Sequence, residues 1–520
     1  MKYTVPVLSC HESVRLERRL LLGEEQNEWR AMSAAGRSLA RLLLQDYLEI
    51  GQLPETLRVL VLAGKGHNAG DALLAAREIL SLHEDAFVQV VFAYGRRDLK
   101  PLAMRAYKAL EQSGGDRVSG IGWSDRESGT VISEHWNACI DGIVGMQFSP
   151  PIRAPGDRII TEINASENID LRAAVDLPSG MDDSTGAEAF RADFTYATGI
   201  AKSPLFESAN RVSVGRVRFI DLGFFKSDGR DGYPSKERIL LSSILDSLRR
   251  LRNSNSEKRS YGHLFIVGGS RSMPGAVFMA AQAAVRSGVG LVTAFVPESV
   301  SGPFASVLPE AMWVPWPETR EGGLSATGFE LLERRLKRAT CILAGPGMGD
   351  DRETQTLLTR ICRETTVPIV FDADALRKDI VCAARAADAG EIVITPHRGE
   401  YARLSGGTDE FVDVAELRSF SKQSKLITVL KGPITRITDG SEMIISPFGG
   451  PLLARGGSGD ILSGLIGGRI AQPGADTLTA TCEAVALHGL AADALSRRRG
   501  TVAVRTTELI GEFGRLLRDE

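Results

Sequence analysis

Cysteine is scarce in this 520-residue chain, and no two cysteines fall in a metal-binding or redox spacing. Cys10, Cys139, Cys341, Cys362, Cys382 and Cys482 are scattered without a CxxC pair, which argues against a zinc site and a disulfide framework. Most of them read as small core residues in a reducing compartment. An apolar run of about 20 residues, the length that crosses a bilayer, is also missing. Before Cys10 the stretch VPVLSC imitates a lipoprotein cleavage site, but its apolar part is short and HESVRLERR follows at once. The expectation is a soluble, cytoplasmic protein with no membrane partner. Excess positive charge is the third absence: 62 Lys and Arg stand against 65 Asp and Glu, a formal net charge of −3. A polyanion binder would be basic, so nucleic acid is not expected as a partner, although a local basic pocket stays open. Glycine, by contrast, is plentiful: 54 residues without a collagen-like period, which directs attention to glycine-rich loops. Apolar residues make up 43% of the chain, too many for intrinsic disorder.

Two polar segments, KSDGRDGYPSKER (226–238) and RNSNSEKRSYG (252–262), read as linkers, with the helical pattern ILLSSILDSLRRL between them. They place a domain boundary near residue 230, giving domains 1–230 and 231–520. In the first, Trp29, Met32, Gly36, Leu39 and Leu43 follow helical steps of three and four. LRVLVL (57–62) reads as a fully buried strand, followed by a glycine-rich turn, a helix over 71–82 and the strand FVQVVFAY (87–94), a parallel βαβ unit. HWNACIDGIVG (135–145) and RAAVDLPSG (172–180) each set a carboxylate, Asp141 or Asp176, at a strand end, where ligands bind in open α/β sheets. The second half repeats this logic in HLFIVGGS (263–270), TCILAGPGMG (340–349), VPIVFDAD (367–374), EIVITPHRGE (391–400) and LITVLKGP (426–433). GAVFMAAQAAVRSG reads as a small-residue helix and ITRITDGSEMIIS as a hairpin turning at Asp-Gly. The expected fold class is α/β, two three-layer α/β/α domains.

The loop AGKGHNAGDA (63–72) joins a strand to a helix. Gly64, Gly66 and Gly70 let the backbone pass close to a ligand, and the helix amides behind them favour an anion. The spacing fits neither a Walker loop nor GxGxxG. Alone, the loop reads equally as a tight turn with Asp71 capping the helix; Asn68 and Asp71 tilt it towards a site. Asp141 and Asp176, on different strands beside it, could hold a cation or move a proton. Asn68, Asp141 and Ser179 are oxygen donors that suit a hard cation rather than zinc. His67, with no second His or Cys beside it, reads as a lining residue.

GGSGD (456–460) is the strongest signal. Gly456, Gly457 and Gly459 let successive N–H groups converge on an oxyanion, and the helix dipole adds about 0.3–1 kcal/mol. Asp460 stands where it can take a proton from a hydroxyl attacking a phosphoryl group. The competing reading is a helix N-cap after a flexible turn. Asp372 and Asp374 read as ordinary strand-end polar residues. His397 could recognise a polar ligand, and Glu400 could hold Mg²⁺ through water. GPGMG either approaches a ligand or only turns the chain, and Met273, Met279 and Trp313 read as packing residues.

In order and spacing, GKGHNAGD, VDLPSGMDDSTG, YGHLFIVGGS, GPGMG, FDADAL, TPHRGE, VLKGP and GGSGD resemble the bifunctional NAD(P)H-hydrate repair enzymes over nearly the whole chain. That family joins a Rossmann-like epimerase domain to a ribokinase-like dehydratase domain. The resemblance implies NADH and NADPH carrying water across a ring double bond, in two epimeric forms, as substrates. The C-terminal domain would dehydrate the S epimer at the expense of ADP, releasing AMP and phosphate, and the N-terminal domain would interconvert R and S. Mg²⁺ is implied for the first activity and K⁺ for the second. The partners implied are the hydrate, ADP and further copies of the chain.

Matched residue by residue, Asp460 is implied as catalytic, and with Ala276, Gly347 and His397 it would meet the hydrate. Lys431, Gly432, Pro433, Ile434 and Thr435, together with Gly456, Gly457, Ser458 and Gly459, would line the nucleotide. In the first domain Asp176 is implied as catalytic and Asn68, Asp141 and Ser179 as K⁺ ligands. His67, Asn68, Ala69, Gly70 and Asp71 would meet the hydrate, with Gly145, Met146, Gln147, Phe148, Ser149, Pro150 and Pro151. The chain departs from the family at several points. Where the family loop has two asparagines, two glycines, Asp and Gly, this one reads HNAGDA; Ser33 replaces a Glu and VGMQF a Gly-Thr-Gly loop. Arg398 stands for a Pro and Arg455 for a Lys, which is not equivalent beside phosphate. Two rival readings remain: a ribokinase-like kinase, whose relatives carry Gly-Ala-Gly-Asp at Gly457–Asp460, and a non-catalytic ligand-binding first domain.

Overall fold

The computed structural model describes residues 2–124, 133–148, 151–184, 188–225, 233, 235–386, 390–407 and 412–518. The chain divides into two compact units, one built on Val5–Ser235 with Arg497–Gly500, the other mainly on Lys236–Ser496. Among the described residues no helix is long and apolar enough to cross a membrane.

In chain order, the first unit's strands are β1 (Thr4–Leu8), β2 (Arg58–Ala63), β3 (Phe87–Phe92), β4 (Val118–Gly122), β5 (Trp136–Gly142), β6 (Ile169–Val175), β7 (Phe194–Thr198), β8 (Ala201–Lys202) and β9 (Arg216–Ile220). The main sheet runs β4-β3-β2-β5-β6-β7-β9, parallel throughout. Alternate side chains of β2 serve opposite faces. Val59, Val61 and Ala63 join the core under the helices Glu25–Tyr47, His67–Leu82 and Pro101–Gly114. Leu60 and Leu62 meet Ile159, Ile160 and Ile163 of the helix Gly156–Ala165. That double burial is why the strand reads as an unbroken apolar run.

The helix expected over 71–82 begins earlier, at His67, with Gly66 as its N-cap, so Asp71 lies inside it and does not cap it. Gly70 is therefore helical. A Cβ there would stand 2.5 Å from Met32 Sδ, so close packing against the preceding helix, not a turn, demands glycine. The N-terminal arm also forms a strand and a helix. Strand β1 pairs with β8, Leu8 opposite Lys202. It leads into the helix Cys10–Leu20, started by a Ser9/Glu12 capping box.

The second unit carries β10 (Glu237–Leu240), β11 (His263–Val267), β12 (Leu291–Pro297), β13 (Met312–Trp316), β14 (Cys341–Ala344), β15 (Ile369–Phe371), β16 (Ile392–Ile394), β17 (Ile427–Leu430), β18 (Thr435–Thr438) and β19 (Met443–Ser446). Their order is β13-β12-β11-β14-β15-β16-β17-β18-β19-β10, antiparallel only on the two sides of β18. The hairpin β18–β19 turns at Asp439-Gly440 as its sequence indicates. The pattern ILLSSILDSLRRL is not one helix. Its first residues end β10, which pairs with β19, and Ser242–Leu248 form a 3₁₀ helix. Sheet pairing of the buried Ile239 and Leu240 overrides the helical spacing. Of the linker 226–238, residues 226–232 and 234 lie outside the described residues. On one face of the sheet the core gathers Phe265, Ile342, Ile369 and Ile394 with Leu357, Leu358 and Ile361 of the helix Arg352–Glu364. Elsewhere in the unit the helix Ser458–Ile470 packs on the helix Pro274–Val285 so closely that a Cβ at Gly464 would lie 2.1 Å from the Ala280 carbonyl oxygen.

Candidate active sites

At the carboxyl ends of its parallel strands the first unit opens into a cavity of about 590 Å³. His67, Asn68 and Asp71 line it from the start of their helix, Ile143–Phe148 and Pro151 from beyond β5, Asp176 from beyond β6 and Thr198 from the end of β7. Ala69 and Gly70 lie buried behind this wall. Ser149 and Pro150 fall outside the described residues. Lys65, Lys100 and Arg153 bring positive charge to the lining, which Glu17, Asp71 and Asp176 share.

Asp176 has φ +65°, a strained backbone for a residue with a side chain, which structures retain mainly at functional positions. Its Oδ1 accepts from the Thr198 amide at 3.2 Å, the Thr198 hydroxyl at 3.1 Å and the Lys202 ammonium. Lys202 is fully buried and also donates to the Thr198 carbonyl at 3.1 Å. An ammonium without water is tolerable only when paired and hydrogen-bonded in this way. Two further carboxyls share the cavity. Burial pushes Glu17 up to about 7, with Lys202 opposing and Asp176 adding. Burial, then the charges of Asp176 and Glu17, hold Asp71 well above the usual carboxylate range, and among the described residues its Oδ1 has no hydrogen-bond partner.

Behind that wall an oxygen-rich knot forms. Ser179 donates from its amide and its hydroxyl to the two oxygens of Asp141, both at 2.7 Å. The Ser179 hydroxyl oxygen and the Asn68 side-chain amide both lie 3.0 Å from the Val144 carbonyl oxygen. Burial pushes the Asp141 carboxyl up to about 6 against the pull of the Ser179 and Ile143 hydrogen bonds. The three residues expected to share a cation are thus brought together.

In the second unit Gly457 caps the helix Ser458–Ile470 with φ +88°, and a Cβ there would meet Met279 Sδ at 2.5 Å. The Ser458 amide donates to the Arg455 carbonyl at 3.3 Å, and the amides that follow it at a helix start are of the kind that favours an anion. Asp460 sits in the first turn. Burial pushes its carboxyl up to about 7; Asp372 adds to the shift, Lys431 opposes it and Asp374 adds further. Lys431 Nζ lies 2.9 Å from Asp372 Oδ1 and 3.8 Å from Glu400 Oε2, beside Gly459. Burial pulls the Lys431 ammonium down, but these carboxylates outweigh it and leave the net shift upward. Asp372 and Asp374, read from sequence as ordinary strand-end residues, therefore belong to the charge environment of Asp460; Asp374 also accepts from the Gly349 amide at 2.9 Å.

His397 caps its helix, its Nδ1 accepting from the amides of Gly399 and Glu400 at 3.1 and 3.3 Å. Gly347, at φ +65°, packs where a Cβ would stand 3.0 Å from Ala276 Cβ, so these two expected hydrate contacts adjoin. Arg455 donates to the carbonyls of Thr501, Val502 and Val504 at 2.6, 2.7 and 3.1 Å, and the Thr506 hydroxyl to the Gly456 carbonyl at 3.0 Å. Its guanidinium fork ties a distant segment to the glycine loop, a task a lysine could not perform in the same way. Met279 packs against Gly457 as expected, whereas Met273 is 42% exposed.

Lys202 and Glu17 belong to the site without a sequence motif to mark them. A lysine set among the apolar residues of GIAKSPLF was a usable signal for the first; Glu17, in RLERR, looks like a solvated charge.

Comparison with known proteins gives matching models for both halves. The family described as YjeF-related protein N-terminus matches residues 29–203, and the family described as NAD(P)H-hydrate dehydratase matches residues 264–514. A bifunctional NAD(P)H-hydrate repair enzyme of Moorella thermoacetica is 31% identical over 472 residues, covering 89% of this chain and 88% of that protein. Its counterpart from Coxiella burnetii is 32% identical over 516 residues, covering 97% and 98%. Among solved structures, an ADP/ATP-dependent NAD(P)H-hydrate dehydratase from Bacillus subtilis, co-crystallised with ATP and Mg²⁺, is 27% identical and covers 53% of this chain and 96% of that one, with a TM-score of 0.46.

Proposed function

The chain belongs to the bifunctional NAD(P)H-hydrate repair enzymes, and on that basis we propose that residues 231–520 dehydrate the S hydrate of NADH or NADPH while residues 1–230 interconvert the R and S epimers. The observation that carries the first half is Asp460, held beside Lys431 and Asp372 at the glycine-lined start of a helix. ADP would lie along Lys431–Thr435 with its phosphates towards Gly456–Gly459. Asp460 then takes the proton of the hydrate hydroxyl as the hydroxyl oxygen attacks the terminal phosphorus, and AMP leaves. Expulsion of phosphate from the ring, with loss of a proton from the neighbouring carbon, restores the double bond. Lys431 offsets the charge that accumulates during transfer.

Mg²⁺ fits this site as a partner of the nucleotide phosphates rather than of a protein cage: no group of three or more His, Cys, Asp or Glu among the described residues is placed to hold a metal. Glu400, 3.8 Å from Lys431 Nζ, would be a carboxylate to hold it through water. The ion would supply neutralising charge on the phosphoryl oxygens. In the first unit Asn68, Asp141 and Ser179 would hold K⁺ with the Val144 carbonyl. One carboxylate among neutral oxygens suits a weakly charged hard cation. Asp176, fixed by Thr198 and Lys202, would be the proton-transferring group for epimerisation. The scattered spacing of the cysteines suits a reducing, cytoplasmic setting.

The test is purified protein given mixed NADH-hydrate epimers, ADP and Mg²⁺ in potassium buffer. NADH absorbance should return almost completely, with AMP and phosphate as products. Asp176→Ala should stop the fast recovery once the S epimer is consumed. Turnover with ATP but none with ADP would overturn the donor, full activity in chelator would overturn the metal, and a stable phosphorylated product would favour a kinase.

A further inference from the structure

One ionisable group at the first cavity has no part in the chemistry so far. Glu17 lines that cavity together with Asp176, and a smaller adjoining recess together with His67, Asp71 and Thr198. It comes from the N-terminal arm, which is fastened to the site at two points. Leu8 is in register with Lys202, the partner of Asp176. The carboxylate of Asp183, on the loop that carries Ser179, accepts from the amides of Cys10 and His11 at 2.6 and 3.2 Å. Among the described residues no hydrogen bond or ion pair engages the Glu17 carboxyl, whereas Asp176 Oδ1 is tied by three donors.

We propose that Glu17 is a second catalytic residue of epimerisation, exchanging protons with the hydroxyl of the hydrate ring in partnership with Asp176. The inference rests on the epimerase reading of this unit. The epimers differ in the ring face that carries the added hydroxyl. To interconvert them, the C–O bond must break on one face and form on the other. An acid gives its proton to the departing hydroxyl, which leaves as water while the ring nitrogen's electron pair takes up the positive charge. A water then adds to the opposite face and gives a proton to a carboxylate. Protons and oxidation state balance over the cycle, and the two ends of the reaction call for two carboxyl groups rather than one. Glu17 is poised for both roles near neutrality, since burial brings it to about 7. The charges facing it are Lys202, which lowers it, and Asp176 and Glu28, which raise it. Its own charge adds to the upward shift of Asp71. His67 stands 3.6 Å from Glu28.

The full-length chain is tested with mixed NADH-hydrate epimers and saturating ADP, where the first phase reports the dehydratase and the second reports epimerisation. In Glu17→Gln the second phase should slow by about 10²-fold, with the KM for the hydrate little changed and the pH-dependent limb near 7 gone. Glu17→Asp, which keeps the carboxyl, should recover part of the rate and the limb. A second phase in Glu17→Gln within twofold of the wild type would overturn the proposal. So would a slowed second phase with an unaltered pH profile, or Glu17→Asp as impaired as Glu17→Gln. A wild-type second phase no faster than spontaneous epimerisation would instead overturn the epimerase reading itself, and the proposal with it.

Discussion

Replacing Asp460 by Asn keeps the size of the side chain and removes its basicity. With its carboxyl at about 7, roughly half the enzyme carries the base form at pH 7. A positioned base contributes about 10²–10⁴ in rate, or about 2.7–5.4 kcal/mol at 1.36 kcal/mol per factor of ten. The Asn variant should lose that much turnover. Nucleotide affinity should survive, because the helix amides and Lys431 are untouched. In the wild type the rate should climb as Asp460 deprotonates through pH 7 and level off above it; the variant's residual rate should be flat over the same range. Lys431→Met should displace the limb upward, since the ammonium is what lowers the Asp460 carboxyl. The assay is return of NADH absorbance from the S hydrate at saturating ADP, from pH 5.5 to 9 in about half-unit steps, with nucleotide affinity measured separately. Near-normal turnover in Asp460→Asn, or a limb that persists in it, would refute the assignment.

Lys202→Met should destabilise the first unit by about 3–5 kcal/mol, because Asp176 stays buried without its ammonium. Denaturant unfolding should show this, with much of the loss recovered on adding Asp176→Asn. Exchange of K⁺ for tetramethylammonium should slow epimerisation and leave the dehydratase phase unchanged; equal slowing of both would argue against a cation at Asn68, Asp141 and Ser179. Gly457→Ala, at φ +88° and against Met279, should cost about 1–2 kcal/mol in backbone strain and weaken nucleotide binding, seen as a raised KM for ADP.

The strands at 58–63 and 369–371 were legible because a strand buried on both faces leaves an unbroken apolar run, and Asp141, Asp176 and Asp460 because they follow such runs or a glycine cluster. Other features had no local signature. Lys202 acquires its meaning from a carboxylate 26 residues earlier in the chain, and by default a lysine is solvated. Asp372 became part of a site only through Lys431, 59 residues away. The start of the helix at His67 was missed because Gly70 looks like a turn residue, when its role is to admit Met32. Arg455 looked like a weakened phosphate contact, yet its donors are engaged by carbonyls of residues 501–504, a pairing no spacing rule foretells.

The register of Leu8 against Lys202 sets an order of assembly during synthesis. Strand β1 leaves the ribosome early and has no β8 to pair with until nearly two hundred further residues have emerged, about 10–40 s later at usual elongation rates. For most of that time the helix bearing Glu17 also lacks the Asp183 carboxylate that accepts from its first amides. The central strands β2, β3 and β5 can pair well before that, so the sheet is able to precede its own cavity. The nascent first unit should thus pass through a stage with a packed parallel core, an undocked arm and no competent centre, and closure of the arm should be among its last folding events.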